Sequence, residues 1–494
     1  MTDNYLLAVD IGTSATKAVL FDSALSPRMV IRKPYPVLVP QRGWSEQEPE
    51  VILKAVIGAL REGCRALPQD GRLLSVAFSS QMNSLLAVDS FGVARSRSLT
   101  WSDTRSAEAA RSILSHPDAA GLARRTGCPV DPIYPLAKIR WLKDNLHLPA
   151  DVKFISIKEY VLFHLTGRFL ADWSIASATG LFNITSRAWD PVALSLLDVT
   201  PDQLSELVSP RQVFQAWKTD VIAQTGLPAG TALVIGGGDG PMASLGVGAV
   251  QPDILAVNVG SSAAARVAIA QPWTDPQSRL WTYTADDNLW VLGGIVSSGG
   301  IVWDWFLNTL GSSGQSQPDL HAEIDQLAGT IPPGAEGLLF IPYLGGEQCP
   351  GWRPATRGGF WGLDFKHQRS HLARAVLEGI TRSIYRVVET ITAVSPQPFR
   401  EIRVTGGLTA SPLWQQIAAD MFNLPVLVPE TVEGSARGAA MLAMLSLGLK
   451  TSLDDFKHLT ITEKCTYPRE EVHTLYREQH QAFLEILEAT RTHL

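Results

Sequence analysis

The stretch AVDIGTSATKAV, residues 8–19, returns in altered form as AVNVGSSAAARV, residues 256–267. The two copies align without a gap, and each reads as an apolar strand, a turn of Gly with Ser or Thr, and a second strand. One copy opens the chain and the other opens its second half. Two similar Gly-Ser turns can arise by chance, because short patterns recur freely. Duplication of a domain is the alternative, and it predicts two similar α/β halves that face each other across a cleft.

The rest of the chain has the pattern of an α/β protein, because strand-like and helix-like segments alternate along it. The apolar spacing predicts helices at 50–67, 369–394 and 468–490 and strands at 73–81 and 401–407. The second copy of the repeat follows the segment Gly246–Pro252, where we place the domain boundary. The expected domains are therefore residues 1–248 and 249–494.

The composition excludes several classes of protein. With 494 residues, 45% of them hydrophobic and 18% charged, the chain can form two folded cores. A formal net charge of −6 predicts neither nucleic acid nor an anionic membrane as a partner. The N-terminus lacks the pattern of a signal peptide, and the least charged segment, residues 233–254, is interrupted by Asp, Pro and Gly. The four cysteines lie far apart, which is typical of a reducing compartment, so we expect a cytoplasmic protein.

Both repeated turns have features of a phosphate-binding site. A glycine between two strands lets the backbone approach a ligand, and successive N–H groups can bind phosphate oxygens. The turns add hydroxyl donors at Thr13, Ser14, Ser261 and Ser262. Lys17 follows the first turn and can reach the same anion, while Asp10 precedes it as a candidate Mg²⁺ ligand. The spacing differs from GxxxxGK[ST], which excludes a P-loop.

A third glycine-rich segment, VIGGGDGPMASLGVGAV (234–250), surrounds Asp239. An aspartate in a glycine turn is common and needs no catalytic role. The same carboxylate at a strand end can also act as a general base that accepts a hydroxyl proton during phosphoryl transfer. The spacing by itself leaves both interpretations open.

Two other regions have polar residues where ligands are often bound. TGGLTASPLWQQIAADMF (405–422) predicts a strand, two glycines and a helix that begins near Ser411. This backbone suits a nucleobase and its sugar, although ordinary strand–helix packing explains it nearly as well. SSQMNSLLAVD (79–89) and TWSDTR (100–105) place polar residues at the ends of predicted strands, as polyol recognition requires. Taken singly, each of these residues is more readily explained as a surface or capping residue.

In this order, the segments resemble the FGGY carbohydrate kinases, a family within the actin-like, sugar-kinase and heat-shock-chaperone ATPases. DIGTSATKAVLFD (10–22) is similar to the family's first phosphate motif, NVGSS (258–262) to its second, and TGGLTASPLWQQ (405–416) to its adenosine motif. Two further segments, YPLAKIRWL (134–142) and GGFWGLDFKHQRSHLARAVLEG (358–379), also resemble family segments. The resemblance extends from Leu7 to about Gly448. SIKEYVLFHLTG (156–167) and DWSIASATGLFNI (172–184) resemble the bacterial gluconate kinases of the family.

The resemblance implies two ribonuclease-H-like α/β domains, with the sugar and the general base on the first and ATP mainly on the second. It assigns the general base to Asp239 and a Mg²⁺ ligand to Asp10. The implied ATP-binding residues are Asp10, Gly12, Thr13, Ser14, Lys17, Gly260, Ser261, Ser262, Gly406, Gly407 and Ser411. The implied sugar-binding residues are Gln81, Met82, Asn83, Trp101, Asp103, Arg105 and Asp239. For an acidic sugar, Arg105 or Lys158 is a candidate partner of the substrate carboxylate.

The implied activity is ATP-dependent phosphorylation of a small sugar or sugar acid, with gluconate as the first choice. Xylulose, or another pentulose or polyol, is the alternative substrate. Asn83 stands where many relatives have His after Met, so the preferred sugar can differ from gluconate. A non-catalytic sugar sensor or actin-like module is the alternative of another class. Asp10, Lys17 and Asp239 are all present, which favours the enzyme, and a homodimer is compatible with the sequence.

Overall fold

The computed structural model describes residues 3–310, 317–395, 397–429, 433–460 and 462–490. Strands and helices alternate through the first half of the chain, as the apolar pattern predicts. The strands of this half are β1 (Asn4–Ile11), β2 (Ala15–Asp22), β3 (Pro27–Pro34), β4 (Glu46–Gln47), β5 (Arg72–Ser80), β6 (Leu86–Val88), β7 (Ser98–Leu99), β8 (Lys153–Ile155), β9 (Leu170–Asp172), β10 (Phe182–Asn183), β11 (Ala188–Trp189), β12 (Glu206–Val208), β13 (Val213–Phe214) and β14 (Ala232–Gly238). Its helices are α1 (Pro49–Arg65), α2 (Ala107–Leu114), α3 (Leu122–Thr126), α4 (Pro135–Asn145), α5 (Ile157–Thr166), α6 (Trp173–Ala176), α7 (Pro191–Leu197), α8 (Thr219–Thr225) and α9 (Asp239–Gly246).

The second half has fewer strands and longer helices. Its strands are β15 (Ile254–Val259), β16 (Ala263–Ile269), β17 (Trp281–Asp286), β18 (Leu289–Val296), β19 (Leu339–Ile341), β20 (Gly359–Trp361), β21 (Glu401–Gly406), β22 (Val426–Pro429) and β23 (Thr462–Thr466). Its helices are α10 (Gly300–Leu310), α11 (Gln317–Gly329), α12 (Arg369–Thr392), α13 (Pro412–Phe422), α14 (Gly434–Ser446) and α15 (Glu470–Ala489). Short 3₁₀ helices cover Pro117–Ala119, Pro201–Gln203, Ala335–Gly337, Gly407–Ala410 and Leu453–Thr460. The predicted long helices at 50–67, 369–394 and 468–490 are confirmed within two residues at each end.

The chain divides into two compact units, and each unit is discontinuous in sequence. The first unit consists of Met1–Gly248, Ile269–Val291 and Glu433–Leu459. The second consists of Ala249–Ala268, Leu292–Val432 and Thr460–Leu494. The first unit therefore includes helix α14, which lies far beyond residue 248 in sequence and packs against α9, β1 and β5. The contiguous domains 1–248 and 249–494 stay a proposal about how function is divided along the chain.

A six-stranded sheet in the order β13-β14-β5-β1-β2-β3 forms the centre of the first unit. Strands β1 and β2 form the predicted antiparallel hairpin, in which Asp10 lies opposite Lys17. Strand β5 runs parallel to both β1 and β14, with Ser80 opposite Ile11 and Gly238. Because the carboxyl ends of parallel strands meet at one edge of a sheet, the residues that follow β1, β5 and β14 come together there.

Apolar side chains on these elements form the core of the first unit. Val9, Val76 and Ile235, one from each of the three parallel strands, have no exposed surface. Helix α1 contributes Ile52 and Val56 to the same cluster. The central strands are buried on both faces, so they read as continuous apolar runs.

The second unit repeats this arrangement. Its strands follow the order β18-β16-β15-β21-β22-β23, where β15 and β16 form an antiparallel hairpin and β21 runs parallel to β15. Val259 lies opposite Gly406, so the glycines after the two strands meet at one sheet edge. The repeat at 8–19 and 256–267 is therefore confirmed as a pair of equivalent hairpins.

Within the described part of the chain, no helix combines the length and the hydropathy needed to cross a lipid bilayer.

Candidate active site

The turn between β1 and β2 is joined by side chains to the segment that follows β5. Thr13 Oγ1 donates to Gln81 Oε1 at 3.2 Å, and Trp101 Nε1 donates to Thr13 Oγ1 at 3.2 Å. Gln47 Nε2 donates to the Thr13 carbonyl at 2.6 Å, while its own Oε1 accepts from Gln81 Nε2 at 2.7 Å. The predicted phosphate turn and part of the predicted sugar motif thus form one hydrogen-bonded network.

Tyr35 supports the backbone of the same turn. Its hydroxyl donates to the Gly12 carbonyl at 2.7 Å, and its backbone N–H donates to the Ser14 carbonyl at 3.1 Å. The Gly12 N–H donates to the Ala15 carbonyl at 3.1 Å, which closes the turn. Gly12 and Ser14 therefore act here through their backbone atoms.

Asp10, Lys17 and Glu433 form a compact charged cluster at this sheet edge. Lys17 Nζ donates to both carboxylate oxygens of Glu433, at 2.9 and 3.1 Å. Asp10 Oδ1 is buried and accepts no hydrogen bond from any described residue. Burial raises the pKa of Asp10, while the nearby Ser79 hydroxyl and Lys17 lower it and Glu433 raises it further. A buried carboxylate oxygen without a donor has the chemistry of a cation ligand.

Asp239 is the first residue of α9 and follows directly after β14. Its side chain is partly exposed, and its Oδ1 accepts from the Gly240 N–H at 2.7 Å. Met82 packs against Gly238 so closely that a Cβ there would lie 2.6 Å from Met82 Cγ. The structure therefore brings the predicted base and the predicted sugar segment into contact through their neighbours.

A buried ion pair supports the strand end that carries Asp239. Lys158 Nζ donates to Asp172 Oδ2 at 2.6 Å and to the Gly237 carbonyl at 3.3 Å, and the Lys158 and Asp172 side chains are each 1% exposed. Ser174 Oγ accepts from the Gly238 N–H at 3.0 Å. Because Lys158 is buried and paired within the protein, it is not placed to meet a substrate carboxylate. Lys158 instead supports the end of β14 through the Gly237 carbonyl.

Arg105 is likewise held by partners within the protein. Its guanidinium donates to Asp103, at 2.8 to 3.0 Å, and to Glu46 Oε1 at 2.6 Å, and its side chain is 3% exposed. Its Cζ lies 3.6 Å from the centre of the Trp44 ring. Asp103 is fully buried and also accepts from the Ser45 N–H at 2.7 Å. The structure thus places Asp103 and Arg105 in a buried network, where they order the segment that begins at Trp101.

Asn83 and Lys138 order the end of the β5 segment. Asn83 has a φ of +61°, in the left-handed region that Asn tolerates better than most residues, and its Nδ2 donates to the Ala178 carbonyl at 2.8 Å. Lys138 Nζ donates to the carbonyls of Asn83, Thr100 and Ile133 at 2.6 to 2.8 Å. Burial lowers the pKa of Lys138 to about 7, while Asp103 and Asp131 oppose the shift. Lys138 therefore ties the two predicted sugar segments together.

The second unit contains a cavity of about 540 Å³ at the carboxyl ends of β15 and β21. The predicted residues Gly260, Ser261, Gly407 and Ser411 all line it. Ser262 and Gly406 lie beside it: the Ser262 carbonyl accepts from the Gly260 N–H at 2.8 Å, and Gly406 has a φ of +77° against the Val259 carbonyl. The size is that of a small-ligand pocket.

Other side chains that line this cavity were not predicted from the sequence, among them Asp325, Trp303, His321 and Asp304. Ser411 caps α13 and donates to Asp325 Oδ1 at 2.6 Å, and burial raises the pKa of Asp325. Trp303 Nε1 donates to His321 Nδ1 at 3.1 Å, which leaves the His321 proton on Nε2. That nitrogen lies 3.4 Å from Asp304. The cavity therefore combines backbone and hydroxyl groups at its glycine end with carboxylates and an imidazole elsewhere.

Glu433 and Asp325 have no distinctive sequence signal. Acidic residues are common just before a helix, where they interact with its N-terminus, and on the solvent-exposed face of an amphipathic helix. Lys138 lies in YPLAKIRWL (134–142), which resembles a family segment, but the sequence does not show which carbonyl groups it contacts. Nothing local to Trp303 indicates its partner either. Only their positions in the folded chain reveal these contacts.

Comparison with protein families covers both halves of the chain. Residues 5–246 match the N-terminal domain of the FGGY family of carbohydrate kinases, and residues 255–447 match the C-terminal domain. The chain is 37% identical to the gluconokinase of Bacillus subtilis (strain 168), over 91% of this chain and 89% of that protein. It is 36% identical to the gluconokinase of Bacillus licheniformis, over 98% and 96%, and 28% identical to the xylulose kinase of Bacillus subtilis, over 94% and 93%.

Solved structures share the same fold. The gluconate kinase of Lactobacillus acidophilus aligns with a TM-score of 0.91 at 32% identity, over 99% of this chain and 98% of its own. The ligand-bound xylulose kinase of the same organism aligns with the same TM-score, identity and coverage. The predicted fold of two ribonuclease-H-like α/β domains is thereby confirmed, and this chain belongs to the FGGY family of carbohydrate kinases.

Proposed function

We propose that this protein is an ATP-dependent gluconate kinase that converts gluconate to 6-phosphogluconate. The choice of gluconate as the substrate rests on the similarity to two gluconokinases, at 36 and 37% identity over nearly the full length of each. The geometry supports the reaction class, because one sheet edge of the first unit collects Asp10, Lys17, the sugar segment after β5 and Asp239. The cavity of the second unit supplies a site for the nucleotide.

In this proposal Asp239 accepts the proton of the attacking hydroxyl. As the sugar oxygen forms its bond to the γ-phosphorus, the bond to the oxygen that bridges the β- and γ-phosphates breaks, and ADP leaves with that oxygen. The partly exposed Asp239 carboxylate can reach a bound alcohol, while Lys158 and Ser174 hold the preceding glycines in place. Gln81, Met82, Asn83 and Trp101 are proposed to bind the sugar.

Asp10 is the proposed ligand of Mg²⁺, directly or through water, because its buried Oδ1 has no donor among the described residues. Within the same residues, no group of three or more His, Cys, Asp or Glu side chains is arranged around a common metal position, so the phosphates would complete the coordination. When bound, the ion offsets the charge that develops on the leaving phosphate oxygen. Lys17 and the Thr13 hydroxyl are proposed to contact the phosphate chain, and Gly260, Ser261, Gly407 and Ser411 the rest of the nucleotide.

A coupled assay of ADP release with gluconate, xylulose, glycerol and other sugars tests the substrate. We expect gluconate to give the highest kcat/KM. Xylulose is the second candidate, because a xylulose kinase aligns as well as a gluconate kinase among the solved structures. Turnover of xylulose without turnover of gluconate would replace the first choice by the second. Calorimetry that shows sugar binding without turnover of any sugar would favour the non-catalytic alternative.

We also propose a cytoplasmic location, which the four free cysteines support. A homodimer stays a prediction, and static light scattering can distinguish the mass of one chain, 53.6 kDa, from twice that mass.

A further inference from the structure

Glu433 lies immediately before helix α14 and pairs with Lys17 across 416 positions of sequence. Both carboxylate oxygens accept from the same ammonium, and the two side chains are 21 and 33% exposed. The pair is therefore accessible to solvent ions. Its ammonium nevertheless donates to both carboxylate oxygens, as in a charge-assisted pair of defined geometry.

Helix α14 is held in place by close contact with α9. A Cβ on Gly438 would lie 1.9 Å from the Met242 carbonyl oxygen, and one on Gly246 would lie 1.9 Å from the Gly434 carbonyl oxygen. Ser435 Oγ also donates to the Asp239 carbonyl at 3.3 Å. The start of α14 therefore touches both the residue proposed as general base and the lysine proposed to bind phosphate.

Asp10 lies opposite Lys17 in the β1–β2 hairpin, and Lys17 pairs with Glu433, so the two carboxyl groups share one ammonium as their neighbour. The cluster contains two carboxyl groups and one ammonium, and that ammonium is already paired with Glu433. A triphosphate that approaches Lys17 without a cation also approaches the carboxyl groups of Asp10 and Glu433. A divalent cation that enters with the phosphates would turn this repulsion into attraction.

We propose that Glu433 makes nucleotide binding depend on Mg²⁺, by occupying Lys17 in the free protein and by adding a second negative charge beside Asp10. The inference rests on the proposed function for the placement of phosphates near Lys17. It assigns Glu433 a role in excluding metal-free ATP, which is the more highly charged form of the nucleotide.

Binding of a non-hydrolysable ATP analogue, measured by isothermal titration calorimetry with Mg²⁺ or with EDTA, tests the proposal without catalysis. We expect wild-type protein to bind the Mg²⁺ form at least tenfold more tightly. In Glu433→Gln, metal-free affinity should rise about tenfold while affinity for the Mg²⁺ form changes less than about threefold, because one nearby negative charge is gone. The control is Glu62→Gln, which removes a Lys–Glu pair of the same unit between Lys33 and Glu62. This control should leave the ratio of the affinity with Mg²⁺ to the affinity with EDTA unchanged.

An unchanged ratio of the two affinities in Glu433→Gln would overturn the proposal, and so would an equal loss of both affinities. If Glu433→Gln fails to fold, Lys17→Met decides, because Glu433 then stays without its counter-charge. In that variant the affinity for the Mg²⁺ form should exceed the metal-free affinity by a larger factor than in the wild type. A factor that is smaller or unchanged would contradict the inference. Wild-type protein that binds neither form of the analogue would instead contradict the proposed function.

Discussion

At the scale of single residues, Asp239 occupies the first turn of α9 with a partly exposed carboxylate. We expect Asp239→Asn to lower kcat by about 10²–10⁴, the usual contribution of a positioned general base, and to leave the KM for the sugar nearly unchanged. Initial rates in the coupled assay measure both constants. Asp198→Asn is the control, because Asp198 is a fully exposed carboxylate of the same unit. Near-normal turnover in Asp239→Asn would remove this residue from the mechanism.

Arg105 shows how a residue chosen for ligand binding can have a structural task. Arg105→Met should leave the buried Asp103 without its ion-pair partner and Glu46 with Arg97 alone, and should lower the free energy of unfolding by about 3–5 kcal/mol. Urea denaturation gives this quantity. The matched control is Arg97→Met, which removes an exposed arginine from the same Glu46 and should cost far less. Equal losses in the two variants would show that the burial of Arg105 is unimportant.

At the scale of elements, the crossing of α9 and α14 depends on glycine. Gly438→Ala would place a methyl group against the Met242 carbonyl and force the helices apart, at a cost of about 3 kcal/mol. Gly58→Ala is the control, since Gly58 is also inside a helix, α1, and its nearest neighbour beyond that helix is Lys33 Cε at 3.8 Å. That change should stabilise the protein by about 0.5–1 kcal/mol. Similar effects in both variants would contradict the close packing of α14.

Helix α5 begins with a capping box in which Glu159 accepts from the Ser156 N–H. Burial raises the pKa of Glu159 to about 7, above its unfolded value of 4.5, and hydrogen bonds from Ser156 and Ser205 oppose the shift. The folded state therefore favours the protonated acid, so this stabilisation is complete below pH 4.5 and is lost as the pH rises through about 7.

Glu159→Gln keeps the cap and removes the titration. Between pH 4.5 and pH 8, the free energy of unfolding of the wild type should fall by about 3 kcal/mol relative to the variant. Denaturation curves for both proteins at several pH values measure this difference. A difference that is constant over the whole range would mean that Glu159 stays ionised in the folded protein.

At the scale of the whole molecule, the duplicated hairpins could be recognised from sequence because their information is local. Strand periodicity and the glycine turn lie within a dozen residues, and both β1–β2 and β15–β16 form as predicted. The parallel strands β5 and β21 then place the segments after them beside these turns. For the same reason Gly260, Ser261, Gly407 and Ser411 could be selected in advance, although the ligand of their cavity stays a proposal.

The sequence by itself determined the α/β class, the two hairpins, the long helices and the family, because each depends on short patterns in a recognisable order. Tertiary structure alone decided that Lys17 pairs with Glu433, out of 48 acidic residues, and that Arg105 and Lys158 are held by buried acids. It also decided that α14 belongs with the first unit. These contacts join segments far apart in the chain, and their energies depend on burial and distance, which no local pattern records.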